Sequence, residues 1–147
     1  QWQRQRRSGN ASPKDVARVI REYRNKHPDK AFVYVGGNSP DFGWATLLAG
    51  GSMPPLELSD AAFARVVPNL RRVSDTTLAD DNGNTVTYSE RNTPLNLTLP
   101  VGRSYIVRHI NPADGRVVES PQRIEGGDVE IAAPEFAPYI VWIGEAP

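Results

Sequence analysis

Residues 38 to 44 read Asn-Ser-Pro-Asp-Phe-Gly-Trp, which places a carboxylate, Asp41, three residues before an indole, Trp44. An aromatic ring can lie against the C–H face of a sugar, and a neighbouring carboxylate accepts hydrogen bonds from its hydroxyls. Asp41 and Trp44 are therefore the candidate substrate-binding residues of this chain. The same spacing also suits a structural role, with Trp44 packed in a seam and Asp41 capping the helix that follows. Neither histidine supports a triad or a zinc site: His27 ends a helical stretch, where it suits the helix dipole, and His109 lies in a strand-like stretch. Asp80-Asp81-Asn82-Gly83-Asn84 faintly resembles a calcium loop, but Leu78 stands where a first carboxylate should be and no glutamate closes the loop. A hairpin turn accounts for it better. Gly36-Gly37 has neither the Walker spacing nor the dinucleotide fingerprint around it, so nucleotide binding is not expected. No metal ligand set and no cofactor site follow from these residues.

A length of 147 residues suits one core with a small appendage. At 39% hydrophobic and 23% charged the composition is that of an ordinary globular chain. No apolar run approaches the roughly 20 residues a membrane-spanning helix requires. The absence of cysteine removes disulfides, thiolate metal sites and cysteine nucleophiles. The 17 basic and 17 acidic residues cancel, but residues 1–30 hold nine Lys or Arg against three Asp or Glu, and residues 31–147 hold eight against fourteen. A basic head can face an acidic partner; here five of its nine charges fall on one helical stretch, where a solvated outer face explains them. Trp2 with Arg4, Arg6 and Arg7 reads as a tail or linker, and nucleic acid is not expected as a partner. The sequons at Asn10 and Asn96 are given no role. Beginning at Gln1 without a signal-like stretch, the sequence is expected to be processed, or cut from a longer one.

The elements that must position these residues fall into two regimes. Ser12, Pro13 and Asp15 form a helix-start signature, and Val16, Val19, Ile20 and Tyr23 lay one apolar stripe on a helix that ends near His27-Pro28. Ala31-Phe32-Val33-Tyr34-Val35 is apolar on both faces and predicts a buried strand of a covered parallel sheet. One helix and one such strand cannot close a sheet. Either the strand joins the later strands or its neighbours come from a preceding part of a longer protein; the second reading is preferred. A short helix is expected from Ser59 to about Val67, stopped by Pro68. Beyond it the pattern alternates: strands flank the turn at residues 81–84, then follow at Leu95–Leu99, Tyr105–Ile110, Arg116–Val118, Val129–Ile131 and Tyr139–Ile143. Together these give an α+β chain: a basic tail at 1–12, a terminal α/β segment at 13–67 and an antiparallel β-sandwich at 68–147.

This order of pieces resembles the C-terminal part of bacterial glycoside hydrolases, in which a (β/α)8 barrel ends in a helix and last buried strand before a C-terminal β-sandwich. The resemblance rests on Phe42-Gly43-Trp44-Ala45 through Ala49-Gly50-Gly51-Ser52, similar to a barrel's closing loop and helix. It rests also on Leu95 to Gly102, Tyr105 to Arg108 and the turn Asn111-Pro112-Ala113-Asp114-Gly115, similar to the sandwich. It implies a segment of a secreted or periplasmic carbohydrate-active enzyme that completes the barrel and supports the substrate cleft without catalysing alone. Glycosidases need two carboxylates, as acid and as base or nucleophile. Asp41 is the one acid in the candidate loop, so the pair would come from the remainder of the enzyme, as a separate chain or a removed segment. The alternative is an autonomous carbohydrate-binding or protein-interaction sandwich, which would need an exposed aromatic platform drawn from Tyr88, Tyr105 and Trp142.

Overall fold

The computed structural model describes residues 12–35, 40–52, 54 and 56–147. The chain is α+β and mostly sheet: three short helices precede one curled antiparallel sheet.

Helix α1, Pro13–Lys26, starts as its sequence dictates. The Ser12 hydroxyl accepts from the Asp15 amide at 3.2 Å, and the Asp15 carboxylate accepts from the Ser12 amide at 3.1 Å, a reciprocal capping box. Its apolar stripe buries Val16 and Ile20 against Ala49 at the end of α2, Pro40–Leu48. Helix α3, Ala61–Val66, begins where the Asp60 side chain accepts from the Phe63 amide at 2.8 Å. It passes into a single 3-10 turn, Val67–Asn69; Pro68 is accommodated there because this tighter turn does not require its missing N–H.

Seven strands follow: β1 Arg71–Arg72, β2 Thr77–Ala79, β3 Thr85–Ser89, β4 Leu95–Asn111, β5 Arg116–Val117, β6 Gln122–Ile131 and β7 Tyr139–Glu145. Their order is β1-β2-β3-β7-β4-β5, with β6 also paired to β4, and every pairing is antiparallel. The 17-residue β4 joins what the sequence reads as two strands. Its first half pairs with β6 and its second half with β7, so it carries the sheet round its bend. At the bend four β4 residues, Pro100 to Arg103, lie between pairings that are separated on β6 by Gly126 alone, a bulge of the kind that increases local twist.

Two apolar clusters occupy opposite faces of this sheet, and β7 divides between them. Ile140 and Trp142 point towards the helices with Trp44, Leu47, Phe63, Leu78 and Val86. Tyr139, Val141 and Ile143 point into the concave side with Tyr105, Val107 and Ile131. Burial on both faces explains why Tyr139–Ile143 is continuously apolar. The expected sandwich of two stacked sheets is thus replaced by one sheet that curls over its own second core. The first cluster also runs across the expected boundary at 67/68, since Trp44, Leu47 and Leu48 of α2 and Phe63 of α3 pack in it with the strands.

The expected strand at 31–35 is absent, and this corrects the sequence reading. The segment follows α1 without ladder partners among the described residues. Exposure alternates along it: Phe32 and Tyr34 pack inward on Tyr23 and Phe42, at ring-centroid distances of 5.1 and 6.0 Å, while Val33 is 50% and Val35 89% exposed. A strand apolar on both faces needs neighbours to cover the second face and to bond its backbone. The antiparallel sheet lies on the far side of the helices and supplies neither.

Candidate functional site

The residues singled out in the sequence occupy α2 and the layer beneath it. Asp41 sits in the first turn of α2 and is exposed, whereas Trp44, one turn on, is 1% exposed. Its indole N–H donates to the Pro112 carbonyl at 2.8 Å, in the turn after β4, and its ring lies 6.2 Å from Phe63 and 6.5 Å from Tyr88. Trp44 therefore pins the helical layer to the sheet and offers no open face to a sugar. The pair Asp41–Trp44 is split: the carboxylate is in solvent and the indole is in the seam.

Asp41 nonetheless acts on the layer below. Burial, with added repulsion from the Asp41 and Glu90 carboxylates, pushes the Tyr88 phenol up to about 12 from 10.0. A folded value above the unfolded one favours the neutral phenol in the folded chain. That contribution is complete below pH 10 and is lost as pH rises through about 12. Tyrosinate absorbance followed against pH is expected to show Tyr88 ionising last or near last, with its midpoint moving down in Asp41→Asn. An unmoved midpoint would show that Asp41 exerts no field on the phenol.

The histidines serve structure. His27 is the C-cap of α1, its amide donating to the Tyr23 carbonyl at 2.8 Å and its ring 4.9 Å from Tyr23. His109 is 3% exposed on β4, with Nδ1 3.1 Å from the Glu119 carboxylate and Nε2 2.9 Å from the Ala132 carbonyl. Each ring nitrogen thus has an oxygen partner, one on a side chain and one on the backbone. This His–Glu contact escaped the sequence reading because the residues are brought together by the β4–β5 turn and share no short motif. No group of three or more metal-ligating side chains occurs among the described residues.

The 80–84 segment is the hairpin turn expected: Asp80 accepts from the Asn82 and Asn84 amides, both at 2.9 Å, and from the Asn84 side chain at 2.8 Å. Those bonds use the carboxylate that a calcium ion would need. Gly36-Gly37, the Trp2–Arg7 head and Asn10 lie outside the described residues. Asn96 is exposed on β4.

One concave feature among the described residues was not visible in the sequence. A cleft of about 860 Å3 opens between α1 and the segment from the 3-10 turn into β1. Its apolar floor includes Leu47, Leu56, Leu58 and Val67, and its charged lining is four arginines: Arg21 and Arg24 from α1, Arg71 and Arg72 from β1. Among the described residues no aspartate, glutamate or aromatic side chain lines it. The wall carrying Leu56 and Leu58 is fastened by the Ser59 amide donating to the Asp114 carbonyl at 2.8 Å. At Gly115, φ is +66°, and a Cβ would stand 2.7 Å from Leu58 Cα, so only glycine lets this wall approach the β4–β5 turn. Asp75 stands near the rim, in contact with Arg72 and 4.0 Å from Arg21. The hydrogen bond from Arg72, then the Arg21 charge, hold its carboxyl below the usual 3.8.

In comparisons with known proteins, a family described as "Domain of unknown function (DUF6298)" matches residues 1–70, just under half of the chain. No curated protein and no solved structure matches. Among the described residues no helix is long and apolar enough to cross a membrane.

Proposed function

We propose that this chain is the C-terminal segment of a carbohydrate-active enzyme, a glycoside hydrolase, which it completes without catalysing alone. The observation that supports this reading is the segment 31–35. It alternates as a strand does, packs one face on α1 and α2, and leaves Val33 and Val35 to solvent with no ladder partner among the described residues. A helix, an extended apolar segment and a second helix form part of a parallel βα layer whose neighbouring strands are supplied from elsewhere. On this reading a preceding segment or separate chain pairs with residues 31–35 and supplies the two carboxylates that cleave the glycosidic bond. The curled sheet then holds α2 from beneath through Trp44, and Asp41 faces the cleft of the completed body. The site of action would be secreted or periplasmic.

The alternative, an autonomous sugar-binding sheet, is weakened by the packing of its three candidate platform residues. Tyr105 and Trp142 are buried and Tyr88 packs against the helical core. They fill cores, as such residues commonly do.

Intact mass of the native particle, together with amide exchange at residues 32–35, tests the reading. The chain alone is expected to exchange those amides rapidly. In the native particle they should slow by about 100-fold or more, as strand pairing removes them from solvent, and the same particle should hydrolyse oligosaccharides. A native monomer with equally fast exchange at 32–35 would overturn it.

A further inference from the structure

The cleft between α1 and β1 has a composition that nothing in the fold requires. Core packing explains its leucines, but not the convergence of Arg21, Arg24, Arg71 and Arg72 on one concavity in a chain of zero net charge. Like charges gathered on low-dielectric walls repel one another and raise the local concentration of anions. Asp75 answers part of that charge from the rim, with its carboxylate on Arg72 and near Arg21. Among the described residues, no carboxylate pairs with Arg24 or Arg71. Arg24 donates to the Lys30 carbonyl, and Arg71 donates through one terminal nitrogen to the Leu70 carbonyl at 2.9 Å and the Pro68 carbonyl at 3.3 Å. Each guanidinium has five N–H donors in a planar fork, so these backbone bonds orient the groups and leave donors for a ligand.

We propose that this cleft binds a carboxylate-bearing oligosaccharide, a chain of uronic acid residues, with Arg24 and Arg71 as its principal carboxylate contacts. The choice of a sugar chain rests on the reading given under Proposed function; the choice of an acidic one rests on the arginines alone. Carboxylates match the bidentate geometry of guanidinium. Arg21 and Arg24 lie one helical turn apart on the same face of α1, opposite Arg71 and Arg72, so a linear ligand meets cations on both walls. The floor of Leu47, Leu56, Leu58 and Val67 presents apolar surface to the C–H faces of sugar rings. Single-stranded nucleic acid is disfavoured because no aromatic side chain among the described residues lines the cleft for a base to stack on. Asp75 already places a carboxylate on Arg72, so a ligand competes with it.

The test is calorimetric titration of the full chain at low ionic strength with tetragalacturonate, its fully methyl-esterified counterpart and a short single-stranded oligonucleotide. Tetragalacturonate is expected to bind at least about tenfold more tightly than the neutral ester, the size of one lost charge-assisted contact. The double variant Arg24→Gln/Arg71→Gln should lose about tenfold or more in affinity, and Asp75→Asn, which releases two guanidiniums, should gain about threefold. Arg103→Gln, at a residue paired with Glu145 outside the cleft, should change nothing. Equal binding of acid and ester, no binding of the acid, or unchanged affinity in the double variant would each overturn the proposal. Tighter binding of the oligonucleotide through the same arginines would overturn it in favour of nucleic acid. The comparison of acid with ester uses the unaltered chain, so a double variant that fails to fold does not remove the test. The mass and exchange measurements above use no ligand: a cleft that binds no uronate leaves the enzyme-segment reading standing, and a native monomer removes that reading whatever the titration shows.

Discussion

Replacing Trp44 by alanine should cost the folded chain about 3–5 kcal/mol, the range for truncating a large buried aromatic. The indole is 1% exposed and packs with Phe63 and Tyr88, so its removal leaves a cavity where α2, α3 and β3 meet. It also leaves the Pro112 carbonyl without the donor it has at 2.8 Å. Trp44→Phe separates the two effects: the ring remains while the bond goes, and the expected loss falls to about 1–3 kcal/mol. Urea unfolding of both variants reads these differences. A loss below about 1 kcal/mol in the alanine variant would mean that the indole does not hold the layers together, and would restore Trp44 as a candidate ligand contact.

Gly126→Ala should be the most damaging single-methyl addition, at about 4 kcal/mol or more, because no side chain can yield to it. A Cβ at this position would lie 1.9 Å from the Pro100 carbonyl oxygen and 2.8 Å from its carbon. Both atoms belong to the bulge that turns β4 through the bend, so relief requires moving the strand itself. Gly102, in the same bulge, provides the contrast. Its φ is +78° and an added Cβ meets nothing within 4 Å, so alanine there carries only the backbone cost of the left-handed region, about 1–2 kcal/mol. Denaturation midpoints of the two variants should therefore differ clearly, with Gly126→Ala far below Gly102→Ala. Similar midpoints would show that β4 is free to shift at its bulge and that the bend is not held by Gly126.

The enzyme-segment reading and the uronate cleft rest on different residues, although the Ser52 amide at the cleft donates to the Phe32 carbonyl. Residues 31–35 present uncovered apolar surface at Val33 and Val35 and no strand ladder among the described residues; the cleft presents guanidinium groups over leucines. Trp44 links both to the sheet through α2, so a loss of ligand binding in a Trp44 variant should be read with its stability measured alongside.

Local interactions made much of this fold legible in the sequence. The Ser12–Asp15 capping box, the Val16–Ile20 stripe, the Asp80–Asn84 turn and the strands either side of it are set by neighbours a few positions apart and form as their residues dictate, whereas β4 joins two expected strands and β6 begins at Gln122, before the expected Val129. Apolar runs also mark residues that avoid water, and Tyr139 and Ile140 are buried, whereas Trp44, read as a substrate contact, is buried as well. What those residues are buried against is a long-range matter. Tertiary structure alone decided that the strands form one curled sheet with a core on each face, that His109 meets Glu119, and that Trp44 reaches Pro112, 68 positions away. It also decided the fate of Phe32–Val35, whose composition signals a covered strand but whose cover must come from other strands. The arginine cleft was hidden for the same reason: Arg21 and Arg24 resemble any solvated helix face until β1 is folded opposite them, because a site made of charge convergence exists only once distant segments share a wall.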